Sequence, residues 1–293
     1  MPIFYRRLPR FEYVRPGSLD EALSLVAEYG SAARLLAGGT DLLPQLKGRE
    51  TPIPRYVIDL KGIPGLDGIA RGEEGGLFLG PLTTMSDIEG STTVRSHFNP
   101  LVQAASTMAS PQVRNRGTFA GNICSAVPSA DSAPALLAMD AAANLRSVRG
   151  TRTVPMDAFF VGPRQTAIGE DEVLVGITVP AMAPGSRGVY LKHAPRRSMD
   201  LAIVGVAALA TCENGVCKDV RIALGAVGPT PFRAKRAEEV IRGGRVSGDV
   251  IEEAARVAST ECRPIDDHRA SAEYRCDMVY VLTRRALTQV LAQ

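Results

Sequence analysis

The chain has no tryptophan, and only seven tyrosines and eight phenylalanines in 293 residues. With so few rings and no basic block, a surface for stacking single-stranded bases is not expected. Thirty-four basic and thirty-one acidic side chains leave a net charge of only +3, so neither nucleic acid nor an anionic membrane surface is indicated as a partner. No apolar run approaches the ~20 residues that span a bilayer. Met1–Arg15 lacks the apolar middle of a secretory signal, and the chain therefore reads as cytoplasmic. His97, His193 and His268 are isolated from one another, and Cys124, Cys212, Cys217, Cys262 and Cys276 form no Cys-x-x-Cys pair. That spacing argues against a zinc site or an iron–sulfur cluster on this chain, and an odd thiol count fits free cysteines in a reducing compartment. Ser198 and Ser271 carry no nucleophile-elbow signature. Glu73-Glu74 and Asp266-Asp267 read as solvated loop charges rather than acid/base pairs. So little chemistry of its own points to a borrowed reagent.

What is present is a soluble globular composition, 45% hydrophobic and 22% charged, long enough for one large or two ordinary domains. Ser18-Leu-Asp-Glu21 predicts a capping box opening a helix that Gly30 stops. Ala33–Ala37 reads as a buried strand, Asp41–Lys47 as a helical turn and Tyr56–Leu60 as the next strand, a β-loop-α-β unit. Strands are expected over 66–70, 75–79 and 172–179, helices over 100–109 and 134–140, and a hairpin around Arg149-Gly150. Pro180 to Gly188 reads as a linker. Beyond it, strands over 188–193, 201–212 and 216–227 precede helices over 234–242, 247–261 and 271–292. Asn214-Gly215 marks a tight hairpin. The second module is thus an antiparallel sheet with helices on one side.

Two glycine-bearing loops stand about eighty residues apart. The first is Leu35-Leu36-Ala37-Gly38-Gly39-Thr40-Asp41-Leu42, placed between a strand and a helix start, where free backbone N–H groups collect. It fits neither the Rossmann nor the Walker pattern, and Asp41 alone reads as a helix cap. The second runs from Arg114 through Thr118-Phe119-Ala120-Gly121-Asn122 to Pro128 and Asp131. A hydroxyl and an amide flanking small residues suit phosphate oxygens, and an ionised Asp131 accepts as a ribose hydroxyl requires. An ordinary strand-to-helix turn, an Asx turn at Asn122 and a helix cap at Asp131 are the plain alternatives for each part. Together, the two loops read as a clamp on a diphosphate.

Taken together the loops resemble the FAD-binding subunit of the molybdenum hydroxylases, the group of xanthine dehydrogenase and carbon monoxide dehydrogenase. The resemblance also includes Phe11-Glu12-Tyr13, Arg15-Pro16, Gln112-Val113-Arg114-Asn115, Tyr190-x-Lys192, Asp200-Leu201-Ala202 and Asp267-x-Arg269-x-Ser271-Ala272-x-Tyr274-Arg275. It implies an α+β fold: a vanillyl-alcohol-oxidase (PCMH)-type FAD-binding domain over 1–180, made of α/β subdomains at about 1–55 and 56–180. A C-terminal domain of antiparallel sheet and helices, like that of carbon monoxide dehydrogenase flavoprotein, is expected over 186–293. Residues 35–42 would wrap the pyrophosphate and part of the flavin side, with Thr118, Ala120, Gly121 and Asn122 as the second phosphate loop. Asp131 would meet the adenosine ribose, Leu174 would pack beside the cofactor, and Lys192 would stand near the polar edge of the isoalloxazine. Ala120 departs from the usual Gly-Gly, and the first loop has no histidine, so the FAD is expected to be non-covalent. A four-cysteine insertion found in relatives acting on aromatic thioesters is missing from this sequence. The implied function is electron transfer from the [2Fe–2S] clusters of a small subunit, through FAD, to an external acceptor. A large molybdopterin subunit would hold the substrate, in a dimer of heterotrimers. A self-sufficient flavin oxidase or dehydrogenase of the same fold, and a non-redox nucleotide-binding or assembly module, are the other readings.

Overall fold

The computed structural model describes residues 7–292 apart from Arg197; residues 1–6 of the N-terminal stretch read as cytoplasmic lie outside the described residues. The first unit comprises β1 (Glu12–Val14), α1 (Leu19–Tyr29), β2 (Ala33–Leu36), α2 (Leu42–Gly48) and β3 (Tyr56–Asp59). Its strands form a parallel sheet in the order β1-β3-β2. Helix α1 opens where Ser18 Oγ accepts the Glu21 N–H at 3.1 Å. The Glu21 carboxylate accepts from Gly17 rather than from Ser18, so only half of the expected capping box forms. The buried stripe Ala22, Leu23 and Val26 joins Ala33 and Ile58 in one small core.

The second unit begins with β4 (Ile69–Arg71) and β5 (Leu77–Leu79) and continues through α3 (Met85–Gly90), α4 (Thr92–His97), α5 (Asn99–Ser106), α6 (Pro111–Arg114), α7 (Phe119–Cys124) and α8 (Ser132–Ala138). It ends with β6 (Ala142–Ser147), β7 (Gly150–Pro155), α9 (Met156–Phe159), β8 (Phe160–Gly162), β9 (Gln165–Thr166) and β10 (Val173–Val179). The main sheet is antiparallel, ordered β4-β5-β10-β6-β7. Leu66 lies outside the strand predicted there, because it packs into the first unit's core and its carbonyl accepts from Leu82. The short helices α3, α4 and α7 are absent from the sequence-based elements. Yet α3 opens on a complete capping box, Thr84 and Asp87 each bonding the other's backbone.

The third unit is β11 (Arg187–His193), β12 (Val204–Glu213), β13 (Val216–Gly225), β14 (Phe232–Arg233), α10 (Lys235–Ile241), α11 (Gly248–Glu261) and α12 (Ala272–Leu291), its antiparallel strands ordered as numbered. Asn214 and Gly215 both have positive φ, 51° and 76°, as a tight primed turn requires. Strand β12 begins at Val204, not at 201, because the chain before it turns to line a cleft described below. Its near-continuous apolar run is explained by burial on both faces. Val204, Val206, Ala208 and Ala210 join the core with α11 and α12, while Ala207 and Leu209 enter the core that holds residues of α5 and α8. Helices cover one side of the sheet, as the sequence predicts. The second unit covers the other, where Tyr190, Ala207, Leu209 and Ala223 enter its core.

The loop from α11 to α12 corrects one reading. Asp267 is not a solvated charge: its carboxylate accepts from the backbone of Arg269 (2.8 Å) and Ala270 (3.2 Å) and from Arg275 Nη2 (2.8 Å). Arg275 is buried and also donates to the Ile203 carbonyl at 2.8 Å. Burial alone would raise the Asp267 carboxyl, but the Arg269 N–H, the Arg275 guanidinium and the Ala270 N–H outweigh it and hold the group down at about 2. A depressed carboxyl contributes stability that is complete above its unfolded value of ~3.9 and lost as pH falls toward 2. Asp267→Asn is therefore expected to cost about 1–2 kcal/mol at pH 7 after allowance for solvent screening. Between pH 4 and 2 the gap to wild type should close, as followed by urea denaturation at each pH.

Candidate functional site

A cleft of about 970 Å³ runs between the three units, at the upper end of the volume range of ligand sites. Its walls come from the loop after β2, the loop into α7, the segment from Arg164 to Leu174 and the loop Met199–Leu201. Every sequence-predicted site residue lines it except Leu36 and Lys192. Leu36 is turned away by strand alternation and is buried.

The two glycine loops meet. A Cβ on Gly38 would fall 2.0 Å from the Arg116 carbonyl oxygen, and one on Gly117 would fall 3.3 Å from Thr40 Oγ1. At Gly38 no side chain fits between the two backbones. Asp41 stands at the N-cap of α2 but makes no capping bond. Its carboxylate instead crosses to the other loop and accepts from Ser125 Oγ at 2.6 Å, which replaces the cap reading with a tie between loops. A double-mutant cycle on Asp41→Ala and Ser125→Ala is expected to show a coupling of about 1 kcal/mol in urea denaturation. Additive effects would mean the tie carries no energy.

Thr118 caps α7, its hydroxyl accepting from Gly121 at 3.0 Å. Asn122 forms no Asx turn: its Oδ1 accepts from Ser132 Oγ at 2.6 Å, bracing α7 against α8. No protein acceptor among the described residues takes up the N–H groups of Gly39 and Thr40. The charged residues on the wall are three arginines, Arg34, Arg114 and Arg164, and five carboxylates, Asp41, Asp131, Glu170, Glu172 and Asp200. Arg114 is committed to Glu89 (2.9 Å) and to the Met108 carbonyl. An anion in this cleft is thus met by backbone and hydroxyl donors more than by cations, which suits a diphosphate held at neutral donors.

Asp131 is buried at the N-cap of α8 without capping it. It accepts from Tyr190 Oη at 2.7 Å and Lys192 Nζ at 2.8 Å, both on β11. Lys192 also donates to the Thr107 carbonyl at 3.1 Å. Burial pushes the Asp131 carboxyl up, against the pull of Lys192 and Tyr190, and burial beside Asp131 also pushes the Tyr190 hydroxyl well up. Cys124 lines the cleft, its thiol pushed up to about 12 by burial, so it is an unreactive packing group.

Family comparisons agree with this layout. Residues 9–182 match the FAD binding domain in molybdopterin dehydrogenase, and residues 189–290 match the CO dehydrogenase flavoprotein C-terminal domain. The chain belongs to this family of FAD-binding subunits. It is 38% identical to the carbon monoxide dehydrogenase medium chain of Hydrogenophaga pseudoflava, over 97% of this chain and 98% of that one. It is 34% identical to the xanthine dehydrogenase FAD-binding subunit of Escherichia coli O157:H7, over 96% of each. A solved carbon monoxide dehydrogenase from H. pseudoflava, lacking the Mo-pyranopterin moiety, superposes with a TM-score of 0.94 at 38% identity, covering 98% of this chain and 99% of that one. The vanillyl-alcohol-oxidase-type architecture that the resemblance implies is the fold of this FAD-binding subunit.

Asp131 and Lys192, which the resemblance assigns to separate parts of the cofactor, are joined in an ion pair at 2.8 Å. Sequence reasoning missed Ser125 and Met199, and it quoted Tyr190 and Asp200-Leu201 only as part of the resemblance, without a role in the cleft. A signal existed for the Met199–Leu201 loop: Met199 and Leu201 are apolar residues in a polar loop, and both are exposed at the cleft. Met199 is anchored by its N–H to the Ala109 carbonyl, two residues from the carbonyl that Lys192 engages.

Proposed function

We propose that this chain is the FAD-carrying electron-transfer subunit of a molybdenum hydroxylase. In this reading a small partner with [2Fe–2S] clusters delivers electrons, a large partner with a molybdopterin cofactor oxidises the substrate, and two heterotrimers pair in the cytoplasm. When bound, FAD supplies a redox centre that receives electrons from iron–sulfur clusters and delivers them to an external acceptor. The first loop, 35–42, holds the diphosphate with the N–H groups of Gly39 and Thr40. Thr118, Ala120, Gly121 and Asn122 close on it from the other side. Leu174 supplies an apolar wall. The Asp131–Lys192 pair stands with Met199 and Leu201 at the end of the cleft nearest the third unit, where we place the isoalloxazine.

The single observation carrying this reading is the junction of two glycine loops at Gly38 and Arg116, tied by Asp41 and Ser125. The state of Asp131 weighs against a self-sufficient flavin oxidase. It is the buried carboxylate of the cleft, and both of its oxygens are engaged by Tyr190 and Lys192, which leaves it unsuited to abstract a substrate proton. The test is coexpression with candidate small and large partners. Copurification and substrate-dependent bleaching of the flavin only when all three are present would support the proposal. Substrate-dependent bleaching of the isolated chain would favour the oxidase.

A further inference from the structure

Away from the cleft, the third unit brings two thiols together. Cys262 closes α11 and Cys276 lies in the second turn of α12, and their sulfur atoms are 3.0 Å apart. The sequence between them is shaped to hold that contact. Asp267 bonds the backbone of Arg269 and Ala270, and Asp266 accepts the Ala272 N–H at 2.6 Å. Arg263 N–H donates to the Val227 carbonyl at 2.8 Å, fixing the residue next to Cys262. On the other side, Arg275 is pinned between Asp267 and the Ile203 carbonyl, fixing the residue next to Cys276. Cys262 is buried, while Cys276 is half-buried. Neither belongs to the cleft wall.

We propose that Cys262 and Cys276 form a redox-sensitive modification site, which a peroxide converts to an intramolecular disulfide. The more accessible Cys276 thiolate attacks one peroxide oxygen, breaking the O–O bond and giving a sulfenic acid with release of hydroxide. The Cys262 sulfur then attacks the Cys276 sulfur; the S–S bond forms, the S–O bond breaks, and the leaving hydroxide takes the Cys262 proton. Two thiols and one peroxide become one disulfide and two waters. Burial pushes the Cys262 thiol up to about 12, which makes it the resolving partner and not the first to react. Cross-linking closes a ring from position 262 to 276 and ties the last turn of α11 to α12. By restricting the unfolded chain it raises the stability of the helical layer behind the sheet.

The full chain, fully reduced and freed of reductant, is treated with hydrogen peroxide, alkylated and digested with trypsin without reduction. The expected product is a disulfide-linked pair of peptides, Val257–Arg269 with Cys276–Arg284, and a thermal midpoint raised on the order of 5 °C over the reduced protein. Cys276→Ser should abolish the linked peptide and the shift. If that variant does not fold, the wild-type peptide map alone decides. Recovery of both cysteines alkylated, conversion of Cys276 to sulfinic acid without a linked peptide, a link only between Cys212 and Cys217, or an intermolecular link would each overturn the proposal.

Discussion

Replacing Gly38 by alanine is expected to strip FAD from the protein. The added methyl would meet the Arg116 carbonyl oxygen at 2.0 Å and its carbon at 2.8 Å. Both are backbone atoms, so relief requires the two loops to part. Overpacking of this kind costs about 1–3 kcal/mol or more, and here it falls on the junction that defines the diphosphate site. A loss of about 100-fold in FAD affinity corresponds to roughly 2.7 kcal/mol and is the minimum expected. Gly39→Ala is the comparison, since its nearest neighbour is the flexible end of Leu36 at 2.9 Å, although its φ of 78° still carries strain. FAD per chain and the dissociation constant from flavin fluorescence, beside circular dichroism, separate lost binding from lost folding. Wild-type affinity in a folded Gly38→Ala protein would show that the loops do not clamp the cofactor.

Lys192→Met is expected to produce the largest loss of stability. The Lys192 and Asp131 side chains are only 7% and 5% exposed, and removing one member of a buried pair leaves the other uncompensated, at a typical cost of ~3–5 kcal/mol. The double variant Asp131→Asn, Lys192→Met should recover much of that loss, because no charge is left stranded. The pH response has a definite sign. Burial already pushes the Asp131 carboxyl up, so without Lys192 the folded state binds a proton more readily than the unfolded chain. The deficit of Lys192→Met should therefore shrink as pH falls from 7 toward the ordinary carboxylate range. A deficit independent of pH would mean that lost packing, not a stranded carboxylate, is responsible.

Local chemistry made much of the architecture legible. Ser18, Gly30 and the stripe of α1 mark a helix by capping and period, and Asn214-Gly215 marks a hairpin by backbone preference. Helices α3 and α7 are too short for periodicity to register, although Thr84-x-x-Asp87 carried a capping signal. The beginning of β12 was misplaced because apolar alternation cannot distinguish Leu201 facing a cleft from Val204 facing a core. At the site, the glycines and small residues were readable because close backbone approach demands them. The partners of the polar residues were not. Asp41 with Ser125, and Asp131 with Tyr190 and Lys192, lie roughly sixty to eighty-five positions apart, and only tertiary packing joins them. Asp267 looked like a surface charge for the same reason: its partner Arg275 lies one helical turn inside α12, on the buried face.

The central claim is that the cleft holds FAD. Its most direct test is the visible absorption spectrum of the purified chain, followed by heat release and identification of the chromophore. The account predicts a flavin spectrum and the release of FAD close to one per chain, set free without proteolysis. A colourless protein that remains colourless after incubation with FAD would contradict it, leaving the paired glycine loops as turns that pack against each other and hold nothing.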